Sequence, residues 1–212
     1  MKKIKLNYLI FKKALDYLMS FILIVLLLPI ILIIGIIIKL DSKGPIIFVQ
    51  KRMGKNQKHF NIYKFRTMKQ DTPKNKPTHL LESPDLWLTR IGRILRKTSL
   101  DELPQLLNIL KGDMSFIGPR PALWNQADLI EEREKYQVHK IRPGITGYAQ
   151  VYGRDTLSIL EKAKLDYYYA QNISFKLDIM IFFKTFIVVL NKKGYAEGQN
   201  NLDQNTIKDS DG

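Results

Sequence analysis

The chain has 212 residues, 45% of them hydrophobic, and its 34 Lys and Arg against 20 Asp and Glu give a formal charge of +14. Such an excess calls for a polyanionic neighbour: nucleic acid, anionic lipid head groups or phosphorylated substrates. With 0 cysteines and only His59, His79 and His139 as histidines, a disulfide framework, a thiolate metal site and a Cys nucleophile are excluded, and a histidine-built zinc centre is disfavoured.

From Leu18 to Ile38 the chain carries no charge. That run of about 21 residues matches the length of an apolar helix that crosses a bilayer. No small-residue cleavage site follows it, so it does not read as a signal peptide. Pro29, near its centre, removes a backbone donor and kinks or breaks a helix. Lys2, Lys3, Lys5, Lys12 and Lys13 precede the run, and Lys39, Lys43, Lys51, Arg52 and Lys55 follow it. The positive-inside rule then draws both ends to the cytoplasm. This favours a helix that bends at Pro29 and returns over one that spans.

Pro45 to Gln50 and His59 to Met68 read as strands flanking turn residues at Met53 to Asn56, a hairpin. Lys69 to Asp85, with three prolines, reads as a loop. An amphipathic helix is expected over Leu88 to Lys97, and a short one over Pro104 to Lys111, stopped by Gly112. Further helices are expected over Ala122 to Val138, Leu160 to Ala170 and Leu177 to Leu190, with an extended piece over Thr146 to Val151. The last helix is too short to span and suits a core or a lipid interface. The tail from Asn191 is polar and reads as disordered.

No G-x-x-x-x-G-K-[ST] loop, G-x-G-x-x-G loop or G-x-S-x-G elbow occurs, and a D-x-D pair falls only at Asp209 and Asp211 in the tail. The chemistry concentrates instead between Arg90 and Arg120, where Asp101 and Glu102 lie among Arg90, Arg93, Arg96, Lys97 and Arg120. Two readings compete there. Ser99 and Glu102 have capping-box spacing, and acidic residues suit a first helical turn. The same place could instead bind phosphate, hold Mg2+ between two carboxylates and use one carboxylate to attack phosphorus. Pro119–Arg120–Pro121 and Arg142–Pro143–Gly144 read as rigid turns presenting arginines, or simply as corners with solvated side chains. Lys64 and Arg66, near the end of the second strand, read most plainly as surface charge.

Lys64 to Met68, Ser99 to Pro121 and Lys140 to Val151 carry long motifs, in order, that resemble the bacterial sugar transferases, the monotopic phosphoglycosyl transferases that begin glycan assembly. The resemblance runs from about Lys12 to Asn191, and the length is similar to that of members consisting of the catalytic core alone. It implies an α+β, mostly helical fold: a membrane anchor over residues 1–40, re-entrant and broken at Pro29, then a cytoplasmic core over 41–190 with a small β-hairpin and interfacial helices, then a tail over 191–212. In this chain Leu28 stands where the family's bend carries a serine.

The resemblance further implies that Asp101 is the nucleophile and Glu102 its acidic partner with Mg2+ as cofactor. Arg120, Arg96 and Arg66, and with them Arg142 and Lys64, would bind substrate. The implied partners are a UDP-sugar, polyprenyl phosphate and inner-membrane lipids, with no nucleic acid. A homo-oligomer and downstream glycosyltransferases are compatible company at the cytoplasmic face. Two other readings stay open on sequence grounds: a direct metal-assisted displacement without a covalent intermediate, and a non-enzymatic basic membrane anchor.

Overall fold

In a computed structural model, residues 3–72, 84–153 and 156–190 are described. The apolar run and its flanks form one helix, α1 (Lys3–Asp41), of 39 residues, which continues through Pro29. The expected break is therefore not an end of the helix. At 1.5 Å per residue it is roughly 58 Å long.

One stripe of α1 is packed against the rest of the chain from end to end. Tyr8 and Leu9 meet a cluster built on Ile117, Tyr169, Ile173 and Ile181. Leu23, Ile24 and Leu27 meet Ile62, Leu106, Ile109 and Met114. Ile31, Ile34 and Ile38 meet Phe65 and Leu95. Polar anchors follow the same stripe: Lys12 Nζ lies 2.6 Å from Asp178 Oδ2, and Asp16 Oδ1 accepts from the Phe116 amide at 3.3 Å. The opposite stripe, including Leu18, Val25, Leu26, Leu32 and Leu40, is exposed and apolar. Single exposed apolar residues are ordinary, whereas a continuous exposed face of this size marks contact with lipid or another apolar surface.

The hairpin forms as expected. Strand β1 (Ile47–Met53) pairs antiparallel with β2 (His59–Phe65), from Ile47 opposite Phe65 to Met53 opposite His59. The turn is longer than a two-residue one, with Asn56 and Gln57 both at positive φ, so β1 runs on to Met53. Helix α2 (Arg90–Thr98) is capped by Thr89, whose side chain accepts from the Gly92 amide. Gly92 packs against the carbonyl of Thr67 so closely that a Cβ would collide with it. Helix α3 (Gln105–Lys111) ends at Gly112, left-handed at φ 85, as the sequence indicated.

Helix α4 (Ala127–Lys135) is shorter at both ends than expected, because the residues after Pro121 turn and Gln137 takes a positive φ. The stretch from Thr146 is not an extended piece. Strand β3 (Ser115–Ile117) pairs in parallel with β4 (Gly144–Thr146), and helix α5 (Tyr148–Tyr152) follows at once. The two Arg-Pro segments are thus neighbours, with the Ser115 amide bonded to the Pro143 carbonyl and Gly144 to Pro119.

Helix α6 (Ile159–Asn172) begins with a complete capping box between Ser158 and Glu161. Helix α7 (Phe175–Leu190) buries Asp178 and Ile181 while exposing Phe182, Phe183, Phe186, Ile187 and Leu190. The tail from residue 191 and most of the 69–85 loop lie outside the described residues.

Candidate active site

Three local features bring the acidic pair to its place. Helix α2 ends at Ser99, which takes a left-handed conformation at φ 58 and makes no side-chain cap. One turn of 3-10 helix, Leu100–Glu102, follows, and Pro104 then starts α3. The capping box expected at Ser99–Glu102 is therefore not formed. Ser99 is spent in closing α2, so the Glu102 carboxylate is not tied to its amide.

Glu102 instead meets cations from two other elements. Lys64, from β2, places Nζ 2.7 Å from Glu102 Oε1 and 4.0 Å from Asp101 Oδ2. Arg120, after β3, directs two guanidinium nitrogens at the same Oε1, each at 3.3 Å. Asp101 is buried. Burial pushes its carboxyl up; Lys64 pulls it back, the Glu102 charge adds to the rise, and the net direction is upward. Burial also raises Glu102, but Lys64 and Arg120 outweigh it and hold it down at about 2. Lys64 is itself lowered by burial, against the opposing pull of Glu102. Adjacent carboxylates whose environments drive their titrations apart are the pattern of a working acid pair.

The remaining expected residues divide. Arg96 faces the site: its charge acts on Asp101, while Nε donates to Thr67 Oγ1 at 2.9 Å. Arg66 points elsewhere. Its guanidinium donates to the carbonyls of Ile38, Ser42 and Lys43 and to Ser42 Oγ, closing the C-terminal end of α1. A cation there satisfies carbonyls that the helix leaves open. Arg142 lies nearer the hairpin turn, where its charge acts on Lys55.

Sequence reasoning missed two arginines that hold the Arg120–Pro121 backbone. Arg52 donates to the Pro121 carbonyl at 3.0 Å. Arg133 donates from Nη1 to the Arg120 carbonyl at 2.8 Å and from Nε to Asp166 Oδ2 at 2.9 Å. Their partners lie 69, 13 and 33 residues away in the chain, beyond any local pattern.

Among the described residues, no group of three or more His, Cys, Asp and Glu side chains comes together. Two adjacent carboxylates nevertheless suit Mg2+, which commonly takes one or two from the protein and completes its shell with water and substrate phosphate. Lys64 and Arg120 both donate to Oε1 of Glu102.

The profile described as bacterial sugar transferase matches residues 7–192. The chain is 40% identical over 192 residues to a UDP-N-acetylgalactosamine-undecaprenyl-phosphate N-acetylgalactosaminephosphotransferase of Aeromonas hydrophila, covering 88% of this chain and 45% of that protein. It is 39% identical over 192 residues to a UDP-glucose:undecaprenyl-phosphate glucose-1-phosphate transferase of Escherichia coli, covering 87% of this chain and 41% of that protein. An exopolysaccharide production protein of Rhizobium leguminosarum bv. phaseoli is 42% identical over 198 residues, covering 88% of this chain and 99% of that protein. The chain thus spans less than half the length of the first two and almost all of the third. With the match running from before the buried α1 anchors to the end of α7, the chain belongs to the bacterial sugar transferase family.

Proposed function

We propose that this protein transfers a sugar-1-phosphate from a UDP-sugar to polyprenyl phosphate at the cytoplasmic face of the inner membrane, releasing UMP as the first membrane step of glycan assembly. The observation that carries the reading is Asp101: a buried carboxylate ringed by Lys64, Arg96 and Arg120, beside a Glu102 kept ionised. Two of the relatives are named for this class of reaction.

In the first half-reaction an Asp101 carboxylate oxygen attacks the sugar-linked phosphorus. The bond from that phosphorus to the bridging oxygen breaks, and UMP leaves with the electron pair. In the second, an oxygen of polyprenyl phosphate attacks the aspartyl phosphosugar, the bond to Asp101 breaks and the carboxylate is restored. Lys64, Arg96 and Arg120 offset the charge on the phosphoryl oxygens, where fixed cations in a dry site act most strongly. Mg2+, held by Asp101, Glu102 and the diphosphate, would supply further charge neutralisation. Arg66 serves this site indirectly, by fixing the end of α1 over β2.

The anchor is read as monotopic, with both ends of α1 on the cytoplasmic side. Support comes from packing. Tyr8 and Asp41 both touch the folded core, the first through Asp178 and the second by accepting from the Ile91 amide. A bilayer-crossing helix would carry one of those ends away.

The test is UMP release across a panel of UDP-sugars with undecaprenyl phosphate and Mg2+, comparing wild type with Asp101→Asn. Turnover by wild type and a sugar-labelled covalent adduct, both lost in Asp101→Asn, are expected. Retained turnover in that variant would sink the nucleophile assignment, and ternary-complex kinetics would replace the two-step sequence with direct displacement.

A further inference from the structure

Two clefts lie beside the site, one reaching it at Arg120 and the other at Glu102, and they differ in what forms their walls. One is lined by Arg120 with residues of the hairpin turn, the Pro119–Pro121 segment and the α4 region, none of them on α1 or α7. The other runs from Glu102 between β4, α5 and the C-terminal half of α7, and is lined by Thr146, Gln150, Thr185, Val188 and Val189 among others. Helix α7 is an apolar element whose outward face, Phe182, Phe183, Phe186, Ile187 and Leu190, is exposed. The second cleft therefore runs from Glu102 to the inner side of a helix whose outer face is suited to lipid.

We propose that this second cleft is the acceptor subsite, taking the phosphate-proximal part of an isoprenoid-chain phosphate, so that the lipid substrate approaches Asp101 from beneath α7. The inference rests on the transferase reading and assigns one of its substrates to one side of the site. The chemistry along the cleft is graded in the required sense. At its inner end lie Ser99 and Glu102; Lys64 and Arg120, the cations that hold Glu102, stand just behind that carboxylate, where a phosphate head passing it would meet them. Midway, Thr146 Oγ1 and Thr185 Oγ1 meet at 2.8 Å across the cleft walls. Gln150 donates to the Ile145 carbonyl, while its own Oε1 is buried without a hydrogen-bond partner. A buried acceptor left unpaired is costly, and a protonated phosphate oxygen in this cleft would satisfy it. At the outer end Val188 and Val189 present only hydrocarbon, which an isoprenoid chain would cover.

The geometry lets an acceptor oxygen reach phosphorus from the α7 side after UMP has left. An unprotonated oxygen of the acceptor phosphate forms the P–O bond as the Asp101 carboxylate takes back its electron pair, and the proton on the oxygen facing Gln150 is released to solvent from the more acidic diphosphate product.

The experiment separates the half-reactions in full-length protein held in lipid nanodiscs. Donor alone gives a burst of UMP; a chase with undecaprenyl phosphate then measures transfer. For Val188→Trp, which fills the cleft, the ratio of transfer rate to burst rate is expected to fall roughly tenfold or more, with a raised KM for the lipid phosphate. Thr185→Val, a milder change, is expected to move the same ratio in the same direction. Equal slowing of both phases in both variants overturns the assignment. A photo-crosslinking side chain at position 188 provides a readout independent of turnover. Adduct formation with undecaprenyl phosphate, not displaced by UDP, supports the subsite, and its absence overturns it. A wild type with no donor-only burst would instead strike at the covalent mechanism, leaving the crosslink to decide the cleft.

Discussion

Lys64 Nζ stands 2.7 Å from Glu102 Oε1 and 4.0 Å from Asp101 Oδ2, so a single half-buried cation is shared unequally between adjacent carboxylates. The unequal sharing has a chemical consequence. Glu102 takes the close contact together with Arg120 and stays ionised; Asp101 is left with burial only partly offset, and its carboxylate is the less stabilised of the two. A nucleophile gains from such an imbalance, because the negative charge it loses on bonding to phosphorus was poorly solvated to begin with.

The pH dependence of UMP release follows from these directions. Asp101 must be ionised to attack, and its carboxyl is raised, so the acid limb should lie above the ordinary carboxylate range. Lys64 must be charged, and burial lowers it, so the alkaline limb should lie below the ordinary lysine range. The expected profile is a bell. Lys64→Arg should move the alkaline limb to higher pH while leaving the acid limb nearly in place. An alkaline limb unmoved by that substitution would separate Lys64 from the titration.

Asp101→Asn should trade activity for stability. The folded-state titration of Asp101 lies above its unfolded value, so protonation favours the folded state and the ionised side chain opposes folding at neutral pH. Replacing it with a neutral isostere should abolish adduct formation yet raise Tm, by about 2 °C for a stabilisation near 1 kcal/mol in a chain of this size. Differential scanning fluorimetry in detergent is the check; a lowered Tm would mean that the carboxylate is net stabilising.

Much of the fold could be read from the sequence where structure is local. Gly54 and Asn56 marked the hairpin, Gly112 marked the end of α3, and Pro104 marked its start. The capping box went to the wrong serine because Ser99-x-x-Glu102 and Ser158-x-x-Glu161 share a spacing; only the α2 terminus, which claims Ser99, separates them. The sequence puts Arg66 near the site, whereas its acceptors are backbone carbonyls at the end of α1 and just past it, which carry no sequence signature. The parallel pairing of β3 with β4 joins residues too distant in the chain for periodicity to register. The gathering of cations about Asp101 and Glu102 is foreshadowed by the basic residues around them in the chain, whereas the contacts of Arg52 and Arg133 with the Arg120–Pro121 backbone are not.

Arg133 and Asp166 should behave as one unit. Asp166 is 1% exposed and accepts from two nitrogens of Arg133, whose third nitrogen holds the Arg120 carbonyl. Removing either partner alone leaves an uncompensated buried charge, a loss of about 3 kcal/mol. The double variant Arg133→Ala/Asp166→Ala should lose much less than the sum. Denaturant titration of the four proteins tests the coupling. If the pair positions Arg120, Arg133→Lys should recover stability more fully than kcat, because one ammonium cannot make the same forked contacts.

The membrane arrangement can be tested directly, because the chain contains 0 cysteines and any introduced thiol is unique. Asn7 and Lys43 are exposed and flank the apolar part of α1. Between them the helix is long enough to cross a bilayer, and a spanning anchor would put them on opposite faces. The core contacts argue otherwise, since Tyr8 bonds Asp178 at one end and Asp41 meets the α2 backbone at the other. Asn7→Cys and Lys43→Cys should therefore both be labelled by a membrane-impermeant maleimide in inverted inner-membrane vesicles, and neither in intact spheroplasts. Opposite labelling of the two positions would require one end of α1 to leave the core, breaking either the Lys12–Asp178 ion pair or the Ile38–Phe65 packing. Disrupting the first of these by Asp178→Asn is the matched control: if core contacts hold the N-terminal end on the cytoplasmic side, labelling at position 7 should become mixed while labelling at position 43 stays unchanged.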